Sequence, residues 1–115
     1  MDKRSETRIA HDIRFFVQVH ECKENPDLVG ESVACAAVDF SPHGLQFRTE
    51  EALIPGSLLN ITIGIGEPSV RYLLRGEIRW VRNNDGKHAM GILLQDTVDT
   101  DFETWISGFD EIFAA

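Results

Sequence analysis

Branched apolar side chains stand at every second position from Leu59 through Ile61 and Ile63 to Ile65, alternating with Leu58, Asn60, Thr62 and Gly64. Only an extended strand, whose side chains alternate between two faces, gathers such a set on one side. The same period runs through Ile13, Phe15, Val17 and Val19, and through a stretch from about Ser32 to Val38 that carries Val33, Cys35 and Ala37. It returns in Leu45, Phe47 and Thr49, and again from about His88 to Leu94. A longer run from Val70 to about Arg82 sets Val70, Tyr72, Leu74, Ile78 and Trp80 on one side, which reads Trp80 as core and puts a bulge or barrel corner at Gly76. Turn chemistry separates these runs: Glu21 to Glu31 with Asn25, Pro26, Asp27 and Gly30, then Asp39 to Gly44, Ile54-Pro55-Gly56, Glu67-Pro68-Ser69, and Asn83-Asn84-Asp85-Gly86.

The period changes after Asp99. Phe102, Trp105, Ile106, Phe109, Ile112 and Phe113 recur at threes and fours, Thr100 and Glu103 have capping-box spacing, and acidic residues crowd the first turn. This is one amphipathic helix, covering either an open end of the sheet or another subunit. With no helix between the strands, the sheet is antiparallel. The expected architecture is therefore all-β with one C-terminal α-helix. A flexible, charged arm spans 1–12, a six-stranded antiparallel, split-barrel-like β-barrel spans 13–95, and the helix spans 99–114.

At 115 residues this is one domain with a real core. The formal charge of −8 disfavours a DNA or RNA backbone as partner, because that affinity comes from a basic surface. Charge is nonetheless uneven: Lys3, Arg4, Arg8 and Arg14 crowd the start, and Arg71, Arg75, Arg79 and Arg82 face Glu77 alone between 71 and 82. Local basic spots on an acidic protein suit a small anion. No run is long enough to insert into a membrane, and no signal-peptide core follows the first residues, so a cytoplasmic location is expected. Cys22 and Cys35 have no metal-ligand spacing and are expected to be reduced; the four histidines are dispersed, so no metal site is expected.

The stretch from Asp39 to Gly44, Asp-Phe-Ser-Pro-His-Gly, supplies a carboxylate, a small hydroxyl, a stiffening proline and a glycine that permits positive φ or close backbone approach. Taken alone, such a stretch is a turn in which Asp and Ser cap their own backbone. It stands 31 positions after Arg8, in a chain whose Arg4-Ser5-Glu6-Thr7-Arg8 places two arginines in the arm.

Together these two motifs resemble the PilZ domain family of bacterial cyclic di-GMP receptors, whose pattern is Arg-x-x-x-Arg in an N-terminal arm and Asp or Asn-x-Ser-x-x-Gly after the second strand. Gly44-Leu45, Pro55-Gly56, the run Gly76-Glu77-Ile78-Arg79-Trp80-Val81-Arg82, and Met90-Gly91-Ile92 follow the family's order, so the resemblance covers about residues 3–95. It implies a stand-alone PilZ domain, not an enzyme and without a cofactor, whose ligand is cyclic di-GMP. The contacts it implies fall on Arg4, Arg8, Asp39, Ser41 and Gly44, with Lys3, His43 and Arg79 as secondary candidates; Trp80 is a candidate beside Arg79, set against its reading as core. Arginine forks match guanine or phosphate oxygens, the Asp39 carboxylate accepts from the guanine N1–H and amino group, and Ser41 and Gly44 hold the turn and donate to the ligand. Lys3 stands where members that bind an intercalated ligand pair carry a further arginine, which leaves one or two bound ligands open. The resemblance further implies a cytoplasmic adaptor, monomer or homodimer. Its arm orders on binding and passes the signal to an unidentified effector protein in motility, pili, exopolysaccharide or virulence. The alternative is a constitutive protein-interaction module of the same fold that binds no nucleotide and uses the aromatic helix as its partner surface.

Overall fold

The computed structural model describes residues 13–66 and 70–112. Seven strands follow one another: β1 (Ile13–Glu21), β2 (Ser32–Val33), β3 (Cys35–Phe40), β4 (Gly44–Thr49), β5 (Leu58–Ile65), β6 (Val70–Asn84) and β7 (Lys87–Leu94). One helix, α1 (Phe102–Ile112), ends the described chain. The strands form a single antiparallel sheet of order β2-β1-β5-β6-β7-β4-β3. The arm with Lys3, Arg4 and Arg8, the turn at 67–69 and the last three residues lie outside the described residues.

The two edges of this sheet are neighbours in the chain, separated by Ala34 alone. The run expected as one strand from Ser32 is thus divided: Val33 pairs with Val17 of β1, whereas Cys35 pairs with Thr49 of β4. One straight strand cannot pair with both edges of a curling sheet. The break at Ala34 lets the chain pass between them, nearly closing the barrel and giving seven strands instead of six. Rings bridge the seam, Phe15 of β1 lying 6.1 Å from Phe40 of β3 and 5.6 Å from Phe47 of β4.

Period-two alternation fills the interior as expected. Val17 and Val19, Leu45 and Phe47, Leu59, Ile61 and Ile63, Leu74 and Ile78, Met90 and Ile92 are all buried, each burial worth roughly 1.5–3 kcal/mol. The Asp85-Gly86 hairpin forms with positive φ at both residues, 54° and 80°. Gly76 corrects the expectation of a bulge. It pairs in unbroken register with Leu59 and Leu94, and the shift falls instead between Ile78 and Trp80. A Cβ at Gly76 would overlap Cγ2 of Ile92, so this glycine serves tight packing across the core.

The helix packs on its own barrel. Trp105 is fully buried, with Tyr72 and Phe109 rings each at 5.5 Å and Phe40 at 6.2 Å. Its approach also covers an open edge. The first half of β6 has no partner on its β7 side, and there Gln95 N donates to Arg75 O, Asp101 N to Leu73 O, and Leu73 N to the Asp101 carboxylate. The expected Thr100–Glu103 capping box gives way to this arrangement: the Thr100 hydroxyl donates to Thr97 O, and Asp101 O accepts from Trp105 N. Among the described residues no helix is long and apolar enough to cross a membrane.

Two outcomes follow for the fold. Trp105→Ala removes the plug between barrel and helix and lowers unfolding free energy by about 3–5 kcal/mol, read from the urea midpoint. Burial pushes the Cys35 thiol up to about 11, so it stays protonated through neutral pH and reacts with Ellman's reagent far more slowly in native than in denatured protein.

Candidate functional site

The turn at the centre of the Asp39–Gly44 motif is shorter than its sequence suggested. β3 continues through Asp39 and Phe40, which pair with Gln46 and Leu45, and only Ser41 to His43 lie between the strands. Ser41 N donates to Gly44 O at 2.8 Å, the Ser41 hydroxyl donates to the same oxygen at 3.0 Å, and Gly44 N donates to Ser41 Oγ at 3.1 Å. Ser41 and Gly44 therefore satisfy each other. Gly44 is needed for a close approach to protein, since a Cβ there would lie 2.6 Å from Ile92 O. Leu94 N donates to His43 O, and the Trp105 indole donates to Ser41 O at 3.4 Å, which fixes the turn to β7 and α1.

Two register shifts decide what the outer surface carries. The first lies between Ala37 and Asp39. Without it Asp39 would continue the inward set begun by Val33 and Cys35; with it Asp39 is exposed and Phe40 is buried. The second lies between Ile78 and Trp80 and leaves Arg79 as the extra residue. Trp80 then pairs with Gly91 on the outside, while Val81 pairs with the buried Met90. The reading of Trp80 as core is thereby corrected. Its indole lies flat on Gly91, where any Cβ would collide with the ring, and the Arg82 guanidinium sits 4.8 Å from the ring centroid.

Both outward-turned residues open on one groove of about 270 Å³, lined by Asp39, Ser41, Gln46, Arg79, Trp80 and Leu93 among others. Here a carboxylate, an amide, a guanidinium and an aromatic face converge, a set suited to a flat heterocycle with donor groups on its edge and a nearby anion. The structure thus brings Asp39, Ser41, Gly44 and Arg79 together. It sets His43 apart, exposed at the turn tip with its ring 6.5 Å from Phe102. Lys3, Arg4 and Arg8 fall outside the described residues. Gln46 and Gly91 are additions, and for Gly91 a signal existed: an isolated glycine within the apolar run Met90-Gly91-Ile92 marks a close approach. Among the described residues no group of three or more His, Cys, Asp or Glu is gathered to hold a metal ion.

No curated protein matches the chain. The family model of the PilZ domain matches residues 2–107 of the 115, a span that includes the arm arginines, the Asp39 turn, the whole barrel and the first half of α1. By that match, with a nearly closed antiparallel barrel and a single C-terminal helix behind it, the chain belongs to the PilZ domain family.

Proposed function

We propose that this protein binds cyclic di-GMP in the groove between the Asp39 turn and Trp80 and passes the signal to a partner protein. The family is in general one of cyclic di-GMP-binding adaptors. What supports the reading for this chain is the paired outward placement of Asp39 and Trp80 by two separate bulges. A guanine that takes the place of the Arg82 guanidinium on the Trp80 indole turns its N1–H and amino edge toward the Asp39 carboxylate, while Arg79 lies within reach of a phosphate. The Ser41–Gly44 hydrogen bonds set the position of the turn, so Ser41 acts by holding the turn in shape. Arg4 and Arg8 supply the remaining guanidinium forks from the arm, and Lys3 a point charge. Ordering that arm across the groove on binding is the switch, and the surface it creates or covers is what the effector reads.

The chemistry is recognition, without bond making or breaking. The alternative of a nucleotide-independent module drew on the net acidity and on the aromatic helix as a partner or dimer surface. Trp105 and Phe109 are buried against the chain's own barrel, which removes the second of these supports.

Isothermal titration with cyclic di-GMP tests the proposal. Saturable binding is expected, lost in Arg8→Ala and weakened at least about tenfold in Asp39→Ala, with both variants retaining the wild-type melting profile. Trp80→Ala is expected to cost roughly 1–3 kcal/mol of affinity, the usual worth of one stacked base, and to abolish a ligand-induced fluorescence change that Trp105→Phe leaves in place. The stoichiometry decides between one ligand and an intercalated pair. Absence of heat and of any shift in melting temperature in the wild type would overturn the reading, and hydrolysis of the nucleotide on incubation with magnesium or manganese would overturn its non-catalytic character.

A further inference from the structure

The outer face of β1, β5 and β6 lies apart from the groove and has an ordered pattern. Strand pairing lines up four rows across it: Arg14, Gly64 and Arg71; then Phe16, Thr62 and Leu73; then Gln18, Asn60 and Arg75; then Glu21, Leu58 and Glu77. Rows along a strand are two residues, or about 6.8 Å, apart, except on β1, where a register shift inserts His20 between the third and fourth rows with its ring 3.3 Å from the Asn60 amide. Two large apolar side chains are left in water here, Phe16 at 64% and Leu73 at 51% exposure. The face is basic at one end and acidic at the other. Its middle strand has a buried glycine, Gly64, in the first row and the half-buried Leu58 in the fourth.

We propose that this face is a two-fold contact between two copies of the chain. A two-fold interface requires a surface that complements itself. Lay a second copy face to face with the axis crossing the strands between the second and third rows. Each β5 then opposes the other antiparallel, the first row faces the fourth, and the second faces the third. Arg14 meets Glu21 of the partner subunit, Arg71 meets Glu77 of the partner subunit, and both pairs occur twice. Phe16 and Leu73 lie against the stems of the third row, where Arg75 is held by two hydrogen bonds to Asn60 Oδ1 at 3.0 and 3.2 Å. The other two-fold arrangement, with the axis along the strands, sets arginine on arginine and glutamate on glutamate. The charge pattern therefore selects one geometry.

Three strands about 4.8 Å apart and four rows cover on the order of 300 Å² per copy, well below the ~800 Å² per partner of a stable complex. The dimer is accordingly weak, reversible and sensitive to salt.

Sedimentation velocity of the full chain without nucleotide, from micromolar to millimolar concentration, reads it directly. A monomer–dimer equilibrium that weakens with added salt is expected. Arg71→Glu sets two pairs of carboxylates against each other and Glu77→Arg two pairs of guanidiniums, each weakening the dimer about tenfold or more, whereas R71E/E77R in one chain restores it. That rescue separates a lost contact from a misfolded variant. A chain that stays monomeric at millimolar concentration, single reversals without effect, or a double variant no better than the singles would overturn the proposal. So would nuclear Overhauser contacts from the Phe16 ring to residues 1–12 in the monomer, which would assign the face to the chain's own arm. The measurement involves no ligand, so it stands or falls separately from nucleotide binding.

Discussion

A strand can present a side chain on only one of two faces, and a strict alternation would bury both residues this site depends on. Counting by twos from Val33 and Cys35 carries Asp39 into the core, and counting from Leu74 and Ile78 carries Trp80 there as well. An ionised carboxylate buried without partners costs several kcal/mol, so the barrel has to reverse its alternation before Asp39. It does so with one unpaired residue in β3 and another in β6. Each insertion also returns a hydrophobic residue to the interior, Phe40 in the first case and Val81 in the second. The groove and the core beneath it are thus products of the same two irregularities.

The turn between β3 and β4 is held by protein on every side that its hydrogen bonds reach. The Ser41 hydroxyl and Gly44 amide are engaged with each other, the His43 carbonyl with β7, and the Ser41 carbonyl with the Trp105 indole. Asp39 lines the groove from a backbone that cannot shift without disturbing helix and sheet together. Pre-organisation of that kind lowers the ordering cost that binding would otherwise incur.

Much of this was legible from residue order, and what was hidden has a common cause. Alternation in Leu58 to Ile65 reads directly because both neighbours of β5 keep register with it through most of their length. The Asp85-Gly86 hairpin is local chemistry, and the Trp105 and Phe109 face follows from helical spacing. Bulges escape such reading because they add a residue without changing composition. At Trp80 the preceding pattern even argued for the wrong side. The division at Ala34 was hidden for a related reason: which edge a strand pairs with is decided by chain segments distant in sequence. Helix capping failed similarly, since the carboxylate that ties down the start of α1 reaches a backbone amide of β6 twenty-eight residues earlier. The second half of the binding motif was legible as chemistry, but the residue that completes its groove, Gly91, acquires meaning only once a tryptophan lies on it.

The segment from Gln95 to Asp101 has a consequence for the protein's behaviour in a crowded solution. By donating to Arg75 O and Leu73 O and accepting from Leu73 N, it occupies the groups through which a foreign strand would otherwise extend the sheet. An isoleucine-rich barrel with that margin bare would recruit further chains edge to edge, so a connector of ordinary appearance keeps a sticky β-sheet from polymerising.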